Sequence, residues 1–470
     1  ANSLNKQVSF IGRVQYNYAS KYYLTVTNRY DGASNFAANK KWGYFPSSAI
    51  KWRIAEENFF KDMPLSKTIL NDLSLRLSYG VSGNQGISNY QSLPTLSADV
   101  NGYVFGGIPH LGYRQGNITN NDLTWETSAQ LNAGLDFQLF NGRIDVTTNY
   151  YNMHTKNLLL TVQTPTQTGY SSRLINVGKT TSSGFELGVR ASVINKKNFG
   201  WTTSLNLSTN DQEVTDLGPL VMVALDNTGY GATTNYLQVG VPVGSNFGLE
   251  YAGVWHSQEE IDTELAKPLE ERTYVSISNF YKPGKQKYYY YKRDGTLNID
   301  DYHYLGTPNP SFFGGWGNTL RYKNISLDMF LQFQQGSTMW NTMQYFTGVG
   351  LYLTNQMSYM KDRWTEDNPT SDIPAVNSRD NIPSTYFLQN SSFLRLKSLT
   401  LNYDLSSAVF KASDRKLNIF LSGTNLFLLT SYNGYDPEVN SAGTSSTVRA
   451  KDNGAYPNSQ TISIGANLNF

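Results

Sequence analysis

The last eleven residues, Gln460-Thr461-Ile462-Ser463-Ile464-Gly465-Ala466-Asn467-Leu468-Asn469-Phe470, alternate between apolar and polar side chains. Successive side chains of a β-strand point to opposite faces, so this segment predicts a strand with one apolar and one hydrophilic face. Its length of about ten residues is what a tilted strand needs to cross a bilayer. A soluble β-sandwich can also produce one such strand, and therefore repetition has to decide between the two architectures.

The same alternation recurs along the chain and predicts about fifteen strands and no long amphipathic helix. The clearest hairpin covers residues 129–150, where Asn141-Gly142 predicts a two-residue type I′ turn. We expect Leu135 to face the apolar side of this hairpin and Asp136 the hydrophilic side, where it contributes little to membrane insertion. Near the end of the chain, a change of parity predicts a β-bulge at Lys397-Ser398.

The connections between these segments alternate in length. Counting back from the C-terminus, they are long at 430–458, short at 406–414, long at 336–391, short at 323–324 and long at 256–311. The alternation continues to the start of the chain when two weaker strand candidates, 233–239 and 246–255, are included. Outer-membrane barrels have long loops at one end and short turns at the other, whereas a sandwich has no reason to sort loop length by parity.

The sequence therefore predicts an all-β fold, a transmembrane antiparallel β-barrel of which this chain is one portion. We expect residues 1–470 to form a single domain, with the chain end in the periplasm and long extracellular loops at about 80–124, 256–311, 336–391 and 430–458.

Composition excludes several other classes of protein. A mean hydropathy of −0.43 and the lack of an apolar run near twenty residues exclude a helical membrane protein, although not a barrel with half-apolar strands. The 33 Tyr and 8 Trp residues suit interfacial girdles or ligand-stacking surfaces. The absence of Cys excludes disulfides and thiolate metal sites, and a net charge of +2 gives no case for nucleic acid. Residues 1–8 lack the features of a signal peptide, so either a signal peptide has been removed or this chain is the later part of a longer one, and we favour the second alternative.

A series of short motifs resembles the C-terminal part of SusC/RagA-family TonB-dependent transporters of the Bacteroidota outer membrane. They include Trp42-Gly43-Tyr44-Phe45-Pro46-Ser47, Leu75-Arg76-Leu77-Ser78-Tyr79-Gly80 and Asn121-Asp122-Leu123-Thr124-Trp125-Glu126. Further motifs follow in the family's order, at positions 29–36, 82–85, 134–136, 184–187, 305–310, 393–397, 424–427 and 434–438.

This resemblance implies a barrel of twenty-two strands around an N-terminal plug. About seven strands, the plug and the TonB-contacting segment would then precede this chain. It also implies that a SusD-like lipoprotein caps the extracellular mouth and delivers a glycan or a peptide, which enters when TonB pulls on the plug.

The residues alone point to no catalytic, metal or cofactor site. The segment 287–301 lies where family members often carry a calcium loop, but Tyr290 and Lys292 replace oxygen ligands there. The four histidines are scattered, and the acidic pairs Glu259-Glu260 and Glu270-Glu271 read as solvated loop rather than as a glycosidase pair. Aromatic residues of the long loops suit ligand stacking, partner packing or self-packing, and we assign no binding residue among them: Tyr288 to Tyr291, Trp340, Tyr345, Phe346, Tyr352 and Trp364.

The hypothesis favoured by the sequence is active outer-membrane import of an oligomeric nutrient, with no chemistry of its own. The alternatives are a passive porin or adhesion barrel and, less favoured, a soluble extracellular β-protein that acts on glycans. The lipid-facing rows are the feature on which the choice depends. Apolar faces of separate sheets packed against each other in a hydrophobic core would support the soluble protein instead.

Overall fold

Antiparallel strands make up most of the chain. The computed structural model describes residues 3–225, 234–276, 281–293, 301–350, 354–376, 382–410, 415–443 and 448–469. The chain divides into two compact units, here called unit 1 (Ala1–Ala191 and Asp211–Val223) and unit 2 (Ser192–Asn210 and Ala224–Phe470).

The first eleven strands are β1 (Gln7–Tyr18), β2 (Tyr22–Ala33), β3 (Trp42–Arg53), β4 (Leu70–Asn84), β5 (Leu96–Phe105), β6 (Ile108–Gln115), β7 (Glu126–Leu139), β8 (Ile144–Lys156), β9 (Leu159–Gln163), β10 (Ser172–Asn176) and β11 (Lys179–Asn195). The next nine are β12 (Phe199–Ser208), β13 (Asp211–Asp216), β14 (Met222–Ala224), β15 (Asn235–Gln238), β16 (Ser245–Gly248), β17 (Tyr251–Val254), β18 (Tyr274–Val275), β19 (Gln286–Tyr289) and β20 (His303–Gly306). The last eight are β21 (Phe312–Tyr322), β22 (Ile325–Gln335), β23 (Thr338–Asn341), β24 (Leu388–Asn390), β25 (Phe393–Asp404), β26 (Lys416–Thr430), β27 (Lys451–Asp452) and β28 (Thr461–Asn469).

The helices are short. They are α1 (Asn58–Lys61), α2 (Pro64–Thr68), α3 (Gln258–Leu265), α4 (Thr342–Thr347) and α5 (Ser406–Val409). No helix among the described residues has the length and apolar character that a membrane span requires.

In unit 1, seven strands form an antiparallel meander in the order β1-β2-β3-β4-β7-β8-β11, here called the wall strands of unit 1. One row of side chains crosses all seven, and every step in it is a direct cross-strand pair: Tyr16, Leu24, Ile50, Leu77, Ala133, Tyr150 and Phe185. The six large side chains of this row are 40–58 % exposed. The apolar face of these strands is therefore not buried against a second sheet, which is the opposite of a sandwich core.

The other face of the same strands is polar and internally paired. The guanidinium of Arg76 donates two hydrogen bonds to Asp136, both 2.8 Å, and a third of 2.8 Å to the side-chain oxygen of Asn149. The virtual Cβ of Gly134 would lie 2.7 Å from this guanidinium, so a glycine leaves the space that the arginine occupies. Asp136 is thus on the face that the sequence predicts, but it is a partner of Arg76 rather than a free, solvated carboxylate.

In unit 2, six strands form the meander β12-β21-β22-β25-β26-β28, here called the wall strands of unit 2. Their apolar row is Trp201, Leu320, Leu327, Leu401, Leu421 and Ile464. The predicted β-bulge is confirmed, because the register shifts between Leu396 and Ser398 against both neighbouring strands and leaves Lys397 out of each ladder. The terminal strand is also confirmed as β28, although Phe470 itself lies outside the described residues.

Two local features of the wall strands follow from backbone conformation and from packing. Asn141 and Gly142 both have positive φ (58° and 74°), as a type I′ turn requires. Within β21, Gly314 and Gly315 lie under the rings of Phe333 and Phe330, where an added Cβ would approach ring atoms to 2.8 and 2.5 Å. Packing against aromatic rings of the adjacent strand therefore accounts for these two glycines.

The two weaker strand candidates, 233–239 and 246–255, are wrong as wall strands. Their described parts contain β15, β16 and β17, which belong to small separate sheets. The residues of β16 are all buried, so these segments lie inside a folded loop and not on a half-exposed wall. Sequence alternation also missed the hairpins β5–β6 and β9–β10. Without the two candidates, long connections at 85–125, 157–178, 209–311, 336–392 and 431–460 still alternate with shorter ones; the exception is near the start of the chain, where 34–41 has eight residues and 54–69 has sixteen.

Candidate functional site: the loop assembly of unit 2

The long connections of unit 2 fold into an ordered structure, here called the loop assembly (described residues of 234–311, 336–392 and 431–460). It contains three small groups of strands: β15-β16-β20, β17-β19-β18 and β24-β23-β27. A parallel bridge between Leu249 and Ser384 joins two of the connections. The surface that these loops present is therefore built on a fixed scaffold.

Most loop aromatics that the sequence singled out form the dry core of this assembly. Trp340 and Tyr345 are 0 and 1 % exposed and pack with Phe387 and Val349, with Phe346 against them. Tyr288 and Tyr290 are buried as well, whereas Tyr291 is 62 % exposed, and Tyr352 lies outside the described residues. Self-packing, one of the three alternatives left open, accounts for the buried members of this set.

A buried ion pair fastens the assembly to the wall strands of unit 2. Arg395, on β25, places Nη2 2.6 Å from Asp436 and Nε 2.7 Å from Glu438. The side chains of Arg395 and Asp436 are only 3 and 1 % exposed. Asp436 also accepts hydrogen bonds of 3.0 Å from the backbone and side chain of Asn458. The motifs at 393–397 and 434–438 thus occur together because one supplies the cation and the other the anions.

The segment predicted to replace a calcium loop contains a buried lysine. Lys287 pairs with Glu260, and its ammonium lies 5.3 and 5.1 Å from the ring centroids of Trp255 and Tyr274. A cation held by a carboxylate and two aromatic faces stabilises the loop in the way that a metal would. Residues 294–300 of this segment, including Asp294 and Asp300, lie outside the described residues.

Of the two acidic pairs, Glu259, Glu270 and Glu271 are exposed, as expected for solvated acidic residues, and only Glu260 differs because it is partly buried and hydrogen-bonded. Glu259 and Glu260 lie in the first turn of α3, which Ser257 caps by accepting a hydrogen bond of 3.2 Å from the Glu260 amide. The Glu260 carboxylate in turn accepts from the His256 amide at 2.8 Å. This arrangement resembles a capping box, with the Glu260 carboxylate reaching the amide one residue before the N-cap, and it gives Glu260 a structural role.

Two clefts open on the loop assembly. The larger, of about 940 Å³, is here called the Trp364 cleft and is lined by His256, Ser257, Lys282, Pro283, Gly284, Lys285, Trp364, Glu366, Pro369, Ala375 and Val376. The Trp364 indole is fixed from below, since it donates to the His256 carbonyl at 3.2 Å and covers Gly284, whose virtual Cβ would come within 2.6 Å of the ring. An indole face beside ammonium and carboxylate groups suits a ligand with flat apolar and polar surfaces.

The second cleft, of about 540 Å³, is lined by Glu250, Tyr291, Lys292, Asp301, Tyr302, His303, Tyr304, Leu305 and Thr385. Here the Tyr291 hydroxyl donates to the Glu250 carboxylate, and His303 Nε2 lies 4.0 Å from the same carboxylate. The hydrogen bond to Glu250 raises the pKa of Tyr291 to about 12. Both clefts have volumes in the range of ordinary small-ligand sites.

The histidines have separate environments. His154 contacts Thr181 at 3.1 Å, and His256 Nε2 lies 3.3 Å from Asp372. Among the residues that the structure describes, no group of three or more His, Asp or Glu side chains is arranged to hold a metal ion. The signals that sequence reasoning missed are the lysine above two rings and the Arg395 ion pair, because the Lys287–Trp255 and Arg395–Asp436 contacts join residues 32 and 41 positions apart.

Unit 1 has its own core beneath its long connections. Phe36, Phe45, Leu123 and Trp125 form a buried cluster, and three of the family-like motifs contribute to it. The Trp125 indole donates to the Lys41 carbonyl at 3.1 Å. Residues of these three motifs therefore pack together beneath the long connections of unit 1.

Comparison with known proteins agrees with this architecture. A family model described as "TonB dependent receptor-like, beta-barrel" matches residues 2–264. The TonB-dependent receptor P26 of Formosa agariphila is 34 % identical over 475 residues, covering 98 % of this chain and 46 % of the relative. The TonB-dependent receptor SusC of Bacteroides thetaiotaomicron is 28 % identical over 487 residues, covering 99 % of this chain and 44 % of SusC.

Among solved structures, a RagAB peptide transporter chain superposes with a TM-score of 0.80 at 27 % identity, covering 99 % of this chain and 48 % of the transporter chain. The chain spans about half the length of the curated relatives that it matches. The half-exposed apolar rows, the sorted connections and these similarities lead to one conclusion: the chain belongs to the TonB-dependent receptor β-barrel family and is an outer-membrane protein of the SusC/RagA type.

Proposed function

We propose that this chain forms part of the wall and extracellular surface of a transporter that imports an oligomeric nutrient, a glycan or a peptide, in an active process energised through TonB. The similarity to the RagAB peptide transporter over nearly the whole chain is the observation that carries the proposal. The proposed transporter also contains a plug, a TonB-contacting segment and a SusD-like surface lipoprotein.

The loop assembly supports a transporter over a passive pore. Buried sheets, the Arg395 ion pair and the caged Lys287 fix the loops in place. A general pore needs an open mouth, whereas a transporter that receives one class of oligomer needs preformed recognition surfaces. The two clefts supply such surfaces. An enzymatic role has no comparable support, because family members are transporters and the acidic pair of α3 serves as a helix cap.

The test is uptake of fluorescently labelled oligosaccharides and oligopeptides by cells that carry the full-length transporter, with and without TonB. We expect saturable uptake of one class, lost on deletion of TonB. Uptake that persists without TonB would refute active transport and favour the passive pore. Purification of the complex, followed by mass spectrometry of co-purified lipoproteins and ligands, checks the partner and the substrate class independently.

Trp364→Ala sharpens this test, with Tyr456→Ala as the control because Tyr456 is 89 % exposed and lines neither cleft. If the Trp364 cleft contacts the nutrient, loss of the ring lowers uptake efficiency about tenfold, the effect of about 1.4 kcal/mol of binding free energy. Equal uptake by the two variants, at equal surface expression, would remove this cleft from the transport path.

A further inference from the structure

One connection at the short-connection end differs from its neighbours. Residues 54–69 join β3 to β4 and contain α1 and α2, whereas the β1–β2 and β7–β8 connections of the same unit have only three and four residues. Nothing in the transport proposal needs an insertion there. Its contacts show what it can do.

Glu57 determines which side of the wall the insertion covers. Its carboxylate accepts hydrogen bonds from the Tyr22 hydroxyl (2.5 Å) and the Trp52 indole (3.2 Å), and it pairs with Lys21 at 2.9 Å. Tyr22 and Trp52 are cross-strand partners two residues from the pair Leu24 and Ile50. Side chains two residues apart share a face, so the insertion folds against the apolar face and not toward the polar interior.

The outer surface of the insertion is apolar. Phe60 is buried at 4 % exposure and anchors α1, whereas Phe59, Met63, Leu65 and Ile69 are 53, 42, 48 and 39 % exposed. This patch runs directly into β4, whose Leu75 is the partner of Trp52 and is 43 % exposed. It is thus continuous with the face of the wall that meets hydrocarbon.

The two carboxylates beside the patch, Glu56 and Glu57, are paired, whereas the Asp62 side chain is exposed. Glu56 binds Arg53 at 3.1 Å and Lys61 at 2.8 Å, and Glu57 binds Lys21. The Glu57 partners lower the pKa of that carboxyl to about 2, first through the Tyr22 hydrogen bond and then through Lys21. Since these charges are neutralised within the segment, the patch can approach a lipid surface without leaving them uncompensated.

We propose that residues 54–69 form a membrane foot, a segment that lies in the headgroup region of the periplasm-facing leaflet with phospholipid as its partner. Tyr and Trp residues concentrate at membrane–water interfaces, and short amphipathic segments bury an apolar side there. Continuity with the lipid-facing wall favours phospholipid over a soluble protein. The foot fixes the depth of this wall edge in the bilayer and does not depend on the transported substrate.

The experiment uses depth-dependent quenching. This chain contains no cysteine, so Leu65→Cys and Asp62→Cys each introduce one labelling site, with any cysteine elsewhere in the full-length transporter replaced by serine. Each variant is labelled with a nitrobenzoxadiazole fluorophore in phospholipid vesicles. Asp62 is the matched control because it is exposed, lies three residues away and does not belong to the patch.

We expect the label at residue 65 to be quenched by nitroxides on the upper acyl chains and to be shielded several-fold from aqueous iodide relative to residue 62. Equal iodide quenching at both positions would refute the proposal that residues 54–69 form a membrane foot. Shielding at residue 65 without nitroxide quenching, but dependent on protein density, also overturns it and identifies a second copy as the occupant. Heat-modifiable gel mobility verifies that both variants contain folded barrels.

Discussion

The wall strands and the loop assembly use the same kinds of side chain in opposite ways. Leu77 and Ile464, on wall strands, are 49 and 79 % exposed, whereas Phe247 and Trp340, on loop strands, are completely buried. The wall obtains its apolar stabilisation from lipid, and the loops obtain theirs from a dry core of their own. In this protein a β-strand is therefore defined less by its composition than by what its apolar side meets.

The largest effect is expected from a substitution that breaks the Arg395 ion pair, the anchor of the loop assembly. Arg395→Ala leaves Asp436 as a buried carboxylate without its cation and takes the closer of two cations from Glu438; removal of one partner of a buried pair costs about 3–5 kcal/mol. We expect loop segments to become sensitive to protease while the wall remains inserted. Limited proteolysis of intact cells measures this. Lys397→Ala removes only a longer contact of Glu438, 3.7 Å from a 37 % exposed side chain, and is the graded comparison; equal protease sensitivity of the two variants would contradict the assigned anchor.

The next prediction concerns the wall alone. Leu135→Arg places a charge on the lipid-facing row and should cost about 2–4 kcal/mol at the bilayer midplane. Asn132→Arg, on the polar face of the same strand, introduces the same residue and should cost under about 1 kcal/mol. Urea unfolding in lipid vesicles gives both values. If the two variants are equally stable, the facing of β7 is not the one described.

A smaller effect probes the place where loops close over wall strands. The virtual Cβ of Gly83 would lie 2.1 Å from the Phe45 ring, so Gly83→Ala forces this buried ring to move and should cost about 1–3 kcal/mol. Gly12→Ala, where no atom lies within 4 Å of the added carbon, is the matched control in the same unit. Thermal unfolding of the reconstituted protein compares them. A lower melting temperature for the Gly12 variant would be inconsistent with this packing.

The smallest effect depends on pH. The pKa of Glu57 is lowered to about 2 from its ordinary value of 4.5, so its stabilising contribution is complete above about pH 4.5 and is lost as the pH falls toward 2. Glu57→Gln should remove this part of the acid dependence and change little else. The acid-unfolding midpoints of the two proteins, followed by tryptophan emission, provide the measurement. Identical profiles between pH 2 and 4.5 would show that Glu57 gains nothing from Tyr22 and Lys21.

The wall could be predicted from the sequence because its pattern is local. Alternation with a period of two fixes the strand and its facing, and even the bulge at Lys397 appears as a change of parity. The Asn141-Gly142 turn carries its own signature. Each of these predictions uses residues within about fifteen positions of one another.

The loop assembly could not be predicted in the same way. β16 is buried on both faces and therefore has no alternation to detect. The cage around Lys287 and the ion pair of Arg395 each join residues that are distant in sequence. Family resemblance flagged the two halves of the ion pair as separate motifs, but only coordinates show that they touch.

Pairing between consecutive wall strands has a consequence for biogenesis. Because each new ladder needs only the strand before it, the wall can grow hairpin by hairpin with small losses of chain entropy. The loop assembly requires a larger loss of chain entropy, because the bridge from Leu249 to Ser384 closes a loop of well over a hundred residues. We infer that the loop assembly folds after the wall hairpins of unit 2 have formed.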